Sequence, residues 1–380
     1  MFRLSSAICL VVCASLIGCK TGFNRPMVSE SSTVTIPCDP KAADTNASLE
    51  ALRVLKLVAT FSCEKDTEST KRVLSGQVLG TAAEAQNFDQ YNKLFSAYKN
   101  DDGSYNTPAV MGVDYVLSGR KTYQELVTTN DIIEEHADLG GLVVVSWTPS
   151  NPWEGNFNTG YTSAVDLPAL TQSFTSDAKT RWQDDVKQLA DALLNLQQRR
   201  VPVILRPLPL MNSDRYWWGI NATGANKESD YMNLWSDLFK QLNDAGIENV
   251  IWAYSPLDTS EANTKAFNWG FNKEFVDIVA PVVRNNSLDI RDYDAYKTLA
   301  KPLALAEYSP ATGSDGSFDT LKYETRLISN YPAIAFWMSG VNDGEIKRTL
   351  VDNKNGRDLL TKSTVITAES VDNQTLPTAQ

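Results

Sequence analysis

Short apolar runs alternate with longer amphipathic stretches through the middle of the chain. The runs are rich in Leu and β-branched residues, and they lack the apolar–polar alternation of a strand with one exposed face. This pattern is typical of parallel strands that are buried on both faces of a sheet. It predicts eight strands, which are Val73–Gln77, Ala109–Tyr115, Leu142–Trp147, Val203–Leu208, Val250–Tyr254, Val276–Val283, Leu303–Glu307 and Ile334–Trp337.

Helical periodicity fills the gaps between the predicted strands. Apolar residues recur at spacings of three and four over Thr180–Arg199 and Ser229–Ala245. Gly246 follows the second of these segments and is a typical C-terminal cap. Weaker patterns predict helices over Asp131–Asp138 and Thr320–Asn330.

Eight strand-then-helix units in one chain predict a single-domain (β/α)₈ barrel, a TIM barrel of the α/β class, over residues 49–360. The length of 380 residues and the hydrophobic content of 42% suit such a domain. A doubly wound sheet is the alternative, but it favours a glycine-rich phosphate turn after the first strand. Residues 75–80 read Ser-Gly-Gln-Val-Leu-Gly and do not supply that turn.

The two ends of the chain differ from this middle part. Residues 1–18 contain a lone Arg3 and then an apolar run too short to span a membrane, which is typical of a signal peptide. Residues 16–19, Leu-Ile-Gly-Cys, resemble the lipoprotein box of bacteria, which implies acylation of Cys19; an ordinary secretory signal is the alternative. Residues 19–48 are expected to form a polar arm, and residues 361–380 a flexible tail.

A lipid on Cys19 would anchor the protein to a membrane of the cell envelope without a spanning helix. Lys20 follows that cysteine, and by resemblance to the sorting rule of enteric bacteria it implies the outer membrane. Cys38 and Cys63 then remain as an even pair in an oxidising compartment, so we expect a disulfide between them. Two unpaired buried thiols are the alternative.

Charge and histidine content narrow the function. The chain has 35 Lys and Arg against 46 Asp and Glu, a net charge of −11, with no basic stripe that would bind nucleic acid. His136 is the one histidine, which argues against metal sites with several histidines and against Ser-His-Asp chemistry. Acidic neighbours suggest that His136 is a solvated surface residue. We expect no metal or cofactor, and a monomer.

Aromatic and polar residues cluster where the predicted strands end. In a barrel these positions meet at one face, where chemistry is usual. Flat indole rings at the rim of a cleft can stack on the apolar faces of sugars, although such rings can also simply cap a core. We predict a glycan cleft whose binding residues are Trp147, Trp153, Arg206, Asn212, Trp217, Trp218, Tyr254 and Trp337.

Glu307 ends the seventh predicted strand and is the best catalytic candidate. A carboxylate in this place can attack an anomeric carbon as a nucleophile. A buried ion pair with Arg206 or Arg284 is the alternative interpretation of the same residue.

Several segments in order resemble glycoside hydrolase family 26, whose members are mostly β-mannanases with a (β/α)₈ fold. The matching segments are 75–77, 108–115, 141–157, 201–219, 250–256, 275–280 and 303–307, and the most specific one contains Arg206-Pro207, Met211-Asn212 and Trp217-Trp218-Gly219. The resemblance implies retaining hydrolysis of a β-mannan-type polysaccharide by two glutamates, with Glu307 as the nucleophile. The resemblance covers roughly residues 50–350.

The second glutamate is missing from this pattern. The family's fourth strand usually continues Arg-Pro-x-His-Glu-x-Asn, whereas here Pro209 replaces the His and Leu210 replaces the acid/base Glu. Three further departures lie at the cleft: Thr148 for a His, Arg284 for a Tyr, and Gly340 for a Trp.

Three functions remain open at this point. A leucine cannot protonate a leaving sugar, so the sequence favours an envelope protein that binds or acts on β-mannan with impaired hydrolysis. An active endo-β-1,4-mannanase or related glycanase would need a relocated acid, for which Asp214 and Glu154 are the candidates. A non-catalytic scaffold or interaction protein that has lost sugar binding is the third possibility.

Overall fold

The computed structural model describes most of the chain from residue 35 to residue 371. The described residues are 35–63, 71–81, 88–115, 123–154, 158–172, 175–220, 226–259, 266–311 and 314–371. The predicted signal peptide, the lipidation site Cys19 and residues 19–34 of the arm lie outside this part.

Eight parallel strand positions form the barrel wall, and each predicted strand coincides with one of them. Four positions are divided by a short break into two pieces. The strands are β1 (Val73–Leu74), β2 (Gly76–Thr81), β3 (Val110–Asp114), β4 (Leu142–Trp147), β5 (Val203–Pro207), β6 (Val250–Tyr254), β7 (Leu257–Asp258), β8 (Ile278–Val279), β9 (Val282–Arg284), β10 (Leu303–Leu305), β11 (Glu307–Ser309), β12 (Ile334–Trp337) and β13 (Val365–Ile366).

The pairing of the first and last positions closes the barrel. Neighbouring strands run parallel in chain order from β2 to β12. The second pieces of the divided positions, β7, β9 and β11, pair with one another at the end of the barrel where the strands finish. On the other side Leu74 of β1 pairs with Phe336 of β12, and Gln77 forms a bridge with Ser339. The predicted (β/α)₈ barrel is therefore confirmed.

Helices surround this wall and cover one of its ends. They are α1 (Leu49–Ser62), α2 (Phe88–Phe95), α3 (Tyr123–Asp138), α4 (Pro168–Thr171), α5 (Asp177–Gln198), α6 (Glu228–Asp244), α7 (Tyr293–Lys297), α8 (Leu321–Asn330), α9 (Gly356–Leu360) and α10 (Ala368–Val371). The helix predicted from residue 131 starts eight residues earlier, at Tyr123. Beyond α6, Gly246 takes the left-handed backbone conformation expected of a cap, with φ +79°.

Helix α1 closes the N-terminal end of the barrel. Its apolar face, which includes Val54 and Val58, packs in one cluster with residues near the starts of the strands, such as Leu142 and Ile204. The hydroxyl of Ser62 donates to the carbonyl of Ala333 just before β12. The opposite end of the barrel is left as the mouth.

Strand periodicity decides what reaches the mouth. Side chains alternate between the barrel interior and the helices, so residues 142, 144 and 146 of β4 share the inward side. Leu142 and Val144 belong to the interior cluster, and Ser146 comes last on that side. On β5, Arg206 follows the interior Ile204 in the same way. The top layer of the interior is therefore polar.

The predicted flexible tail is wrong for its first part. Residues 365–366 form β13, which pairs with β1, and residues 368–371 form α10. The carboxylate of Glu369 accepts hydrogen bonds from the backbone N–H of Thr107 at 3.0 and 3.1 Å. Residues 361–371 are thus part of the domain, and residues 372–380 lie outside the described residues.

The arm is fastened to the closed end of the barrel. Cys38 and Cys63 form the disulfide expected from the cysteine count. Buried Asp277 accepts hydrogen bonds from the N–H of Ala43 at 2.6 Å and from that of Trp252 at 2.8 Å.

Within the described chain, no helix combines the length and apolar character that crossing a bilayer requires.

His136 corrects a sequence-based expectation. It is fully buried on the inner side of α3, where its ring meets Phe95 edge-on with centroids 5.2 Å apart. Gly141 makes room for it, because a Cβ on that glycine would lie 2.3 Å from Nε2. The neighbouring Glu135 and Asp138 are exposed to solvent, so the acidic sequence around His136 suggested exposure for a residue that lies on the buried side of the helix. Burial lowers the pKa of His136 to about 4.

The pH dependence of stability follows from this histidine. A solvated histidine has a pKa near 6.5, so protons favour the unfolded chain between about pH 6.5 and 4. The contribution of His136 is fully present above pH 6.5 and declines as the pH falls toward 4, by about 3 kcal/mol in all. We expect the NMR signals of this single imidazole not to titrate between about pH 5 and 8. A titration midpoint near 6.5 would contradict its burial.

Candidate active site at the barrel mouth

Glu307 and Arg284 form an ion pair across two neighbouring strands at the mouth. Glu307 begins β11 and Arg284 ends β9, and these strands pair in register. The guanidinium binds both carboxylate oxygens, with Nε 2.8 Å from Oε1 and Nη2 2.5 Å from Oε2. The Glu307 side chain is 11% exposed and that of Arg284 is 32% exposed. Of the two arginines expected as partners, the structure pairs Glu307 with Arg284.

This pairing decides the charge state of Glu307. Burial alone raises the pKa of a carboxyl group, but the charge and hydrogen bonds of Arg284, helped by Arg348 and Arg206, lower the pKa of Glu307 overall. Burial likewise disfavours the cation, yet Glu307 raises the pKa of Arg284. Each partner therefore keeps the other ionised.

Gly340 leaves the space that the carboxylate of Glu307 occupies. A Cβ on this residue would lie 2.5 Å from Oε1 of Glu307 and 2.9 Å from Oγ of Ser309. The N–H of Gly340 donates to the same serine hydroxyl at 2.8 Å, and its carbonyl accepts from the amide of Gln77 at 3.1 Å. Any larger side chain would push against the ion pair.

Arg206 reaches the mouth from β5 and is held by hydroxyl groups. Its Nε donates to Ser255 at 2.7 Å and its Nη1 donates to Ser146 at 2.9 Å. Burial lowers the pKa of this guanidinium, although Asp114 and Glu307 nearby favour its charged form. The predicted binding residue thus lies in the candidate site.

Asp114 is a site residue that the sequence reasoning missed. It ends β3, and its Oδ1 accepts a hydrogen bond from the hydroxyl of Thr148 at 2.8 Å. It follows Val110 at even spacing, and Val110 belongs to the interior cluster. Counting inward positions along β3 would therefore have found it.

These groups surround one cavity of about 260 Å³. Its charged wall is formed by Asp114, Arg206, Arg284 and Glu307. Its apolar wall includes Leu210, which is buried and has a left-handed backbone with φ +57°. A non-glycine residue in that conformation stores strain, which is common in loops that shape functional sites. Among the described residues, this cavity included, no group of three or more His, Cys, Asp and Glu could hold a metal ion.

Six of the eight predicted binding residues are buried and offer no surface to a sugar. These residues are Trp147, Asn212, Trp217, Trp218, Tyr254 and Trp337. Strand parity explains three of them, because Trp147, Tyr254 and Trp337 fall on positions that face the helices. Trp147, for example, packs against Trp182 of α5 with ring centroids 5.4 Å apart.

The other three, Asn212, Trp217 and Trp218, lie in the loop after β5 and bind backbone groups there and in neighbouring segments. The indole N–H of Trp217 donates to the carbonyl of Pro149, and that of Trp218 donates to the carbonyl of Pro209, both at 3.0 Å. The amide of Asn212 bonds to both the N–H and the carbonyl of Leu257. These residues shape the loop rather than contact a ligand.

Two aromatic rings at the mouth remain partly exposed. Trp153 packs edge-on against Trp217 at 5.8 Å, and Tyr216 stacks on Trp218 at 4.5 Å and lines the cavity. Of the predicted stacking residues, Trp153 therefore keeps a surface for sugar contact, and Tyr216 joins it.

The two candidates for a relocated acid lie outside the cavity wall. Asp214 and Glu154 are exposed loop residues, and a carboxylate oxygen of Glu154 accepts from the amide of Asn158 at 2.8 Å. Asp114 is instead the carboxylate that lines the cavity together with Glu307.

Removal of Arg284 tests the ion pair. The substitution Arg284→Ala leaves a buried carboxylate without its partner, and we expect a loss of unfolding free energy of about 3 kcal/mol, seen as a lower Tm. The loss should shrink as the pH falls, because burial raises the pKa of the unpaired Glu307 carboxyl and it takes up a proton, whereas Arg284 keeps it ionised in the parent protein. The control is Lys187→Ala, which removes an exposed pair with Asp191 and should cost about 0–1 kcal/mol. Equal effects of both changes would refute the pairing argument.

Sequence and structure comparisons agree with this fold. The sequence model of glycosyl hydrolase family 26 matches residues 43–369. A mannan endo-1,4-beta-mannosidase from Bacillus subtilis is 27% identical over 343 residues, which is 87% of this chain and 88% of the relative. A mannan endo-1,4-beta-mannosidase A and B from Caldalkalibacillus mannanilyticus is 28% identical, covering 85% of this chain and 62% of the relative.

Solved structures show the same architecture. The YdhT protein from Bacillus subtilis superimposes with a TM-score of 0.73 at 23% identity, covering 87% of this chain and 95% of that one. The Bacillus subtilis mannanase man26 gives a TM-score of 0.70 at 23% identity with the same coverage. With a family match that spans nearly the whole described domain, the chain belongs to glycosyl hydrolase family 26.

Proposed function

We propose that this protein binds a β-mannan-type polysaccharide at its barrel mouth and has lost ordinary retaining hydrolysis. The names of its relatives support mannan as the ligand class. The loss of hydrolysis rests on one observation, which is that Arg284 occupies both oxygens of Glu307 in a cavity whose facing wall includes the hydrocarbon side chain of Leu210.

The chemistry of retaining hydrolysis explains why this arrangement is unproductive. The reaction needs a carboxylate that attacks the anomeric carbon and a second carboxyl group about 5–5.5 Å away that protonates the leaving oxygen. Leu210, at the position of the second carboxyl in the family pattern, has no proton to give. General acid–base help is worth about 10²–10⁴-fold in rate. Hydrogen bonds from Arg284 also draw electron density from Glu307 and weaken it as a nucleophile.

Asp114 supports a second candidate function, an active endo-β-1,4-mannanase with a relocated acid. This carboxylate lines the same cavity as Glu307, unlike Asp214 and Glu154. Its Oδ1 already accepts a hydrogen bond from the Thr148 hydroxyl, and it lies on β3, whereas the family pattern places the proton donor after β5, where Leu210 stands. We therefore favour the binding function.

Activity measurements separate the two candidates. We expect purified protein to leave β-mannan intact and to act, at most slowly, on a mannoside with a very good leaving group, because such a group needs little protonation. Any cleavage of the activated mannoside should disappear in Glu307→Gln. Cleavage of mannan that is abolished by Asp114→Asn would instead establish the relocated acid.

Binding is tested by retention on a gel that contains β-mannan. We expect the parent protein to be retained and Val341→Trp not to be, since this partly exposed residue lines the cavity and an indole ring in its place would fill the space. The control is Leu139→Trp, which introduces the same indole at a 41% exposed residue in the turn before β4. A parent protein that passes through the gel without delay would rule out the mannan-binding function and leave a scaffold role.

We further propose that the protein is a lipoprotein of the cell envelope, held at the outer membrane by a lipid on Cys19. The support is the signal-like sequence before this cysteine and the Lys20 that follows it. Cys19→Ala should release the protein from membranes in cell fractionation, because several acyl chains are needed for stable anchoring. Lys20→Asp should keep it on membranes but move it to the inner one. Membrane attachment that survives Cys19→Ala would refute the anchor.

A further inference from the structure

Arg206 carries hydrogen-bonding capacity that the protein does not use. Its Nε and Nη1 bind the hydroxyls of Ser255 and Ser146, which are neutral acceptors. Within the described part of the chain it contacts no carboxylate in an ion pair, and its Nη2 has no acceptor. Asp114 and Glu307 lie near enough to favour its charge, but neither accepts a hydrogen bond from it, so its Nη2 can bind an acceptor of a ligand.

Two further donors line the same cavity. Arg284 uses Nε and Nη2 on Glu307, which leaves its Nη1 without an acceptor in the described residues. The hydroxyl of Tyr216 also lacks one there, and burial raises the pKa of this group, so it keeps its proton as a donor. Arg206, Arg284 and Tyr216 therefore present N–H and O–H groups to one cavity.

The acceptors of the cavity are already engaged. Both oxygens of Glu307 face Arg284, and Asp114 accepts from Thr148. The remaining wall combines the hydroxyls of Ser146 and Thr148 with apolar residues such as Leu210 and Met338. The cavity thus presents three donor groups that have no acceptor among the described residues, which suits a ligand rich in acceptors.

We propose that the cavity binds the carboxylate of an acidic sugar, a uronic acid unit, with Arg206 and Tyr216 as its donors. Arginine and carboxylate match in charge and in planar geometry, so this pair gives both affinity and selectivity. The volume of about 260 Å³ lies just below the range of about 300–1,000 Å³ that is usual for whole-ligand pockets. It therefore takes one sugar unit of a chain. This inference rests on the proposed glycan-binding function and adds the charge of the sugar.

A matched pair of ligands tests the proposal. β-1,4-linked mannotriose and the β-1,4-linked trimer of mannuronate differ in the carboxylate at C6, and both are titrated calorimetrically into the purified full chain. We expect the acidic trimer to bind tighter on the order of tenfold or more, as a hydrogen bond to a charged group gives, and added salt to reduce the difference. Acetate serves as a small carboxylate without a sugar.

Variants assign the effect to the cavity. Arg206→Gln should abolish the preference for the acidic trimer, and Arg206→Lys should keep part of it. If Arg206→Gln fails to fold, Tyr216→Phe still tests the site, because it removes one donor and keeps the ring on Trp218; it should weaken the acidic trimer several-fold with an unchanged Tm. The control is Arg215→Gln, an exposed arginine in the same loop, which should change nothing.

The outcomes distinguish this inference from the proposed function. Equal or tighter binding of mannotriose, with retention on the mannan gel intact, overturns the acidic-sugar site and leaves mannan binding standing. Binding of the acidic trimer without retention on neutral mannan supports the site and refutes mannan as the ligand. Competition by acetate at the concentration of the trimer reduces the site to a general anion site and overturns the proposal.

Discussion

The buried pair of Arg284 and Glu307 is the interaction on which the barrel mouth depends. Two guanidinium nitrogens bind both carboxylate oxygens, so the charge of Glu307 is paired although its side chain is only 11% exposed. Such a pair is stable only when its geometry is good and its neighbours leave it room. Here the neighbouring strands β9 and β11 hold the two residues in register, and Gly340 leaves the space.

The aromatic residues serve this mouth indirectly. Trp217 and Trp218 belong to the loop after β5; Trp218 donates to a carbonyl of this same loop, and Trp217 donates to a carbonyl of the loop after β4. The loop itself contains two leucines with positive φ, Leu208 and Leu210, a conformation that only well-packed surroundings maintain. The two indoles are therefore buried in contacts that stabilise a strained loop. Polar groups and the partly exposed rings of Trp153 and Tyr216 remain for contact with a ligand.

Sequence patterns predicted the architecture better than the site. Runs such as Leu142–Trp147 are apolar at every position, so they mark a doubly covered strand whatever lies around them, and the eight strands were located correctly. The position of Glu307 at a strand end was also readable. The orientation of Trp147 and the importance of Asp114 needed strand parity, which a continuous apolar run hides. The prediction for His136 was wrong for another reason, because its burial depends on a ring contact with Phe95, which is distant in the chain, and on the space that Gly141 leaves.

The close fit of Gly340 limits the routes by which this barrel mouth could change. An added Cβ would lie 2.5 Å from the carboxylate of Glu307, so a bulky residue cannot enter while Arg284 keeps that carboxylate in place. Replacing Arg284 first would leave the buried carboxylate of Glu307 without its partner, and replacing Gly340 first would create a steric clash with that carboxylate. Either of these two substitutions alone thus passes through a less stable protein, so Arg284 and Gly340 are expected to change together or not at all.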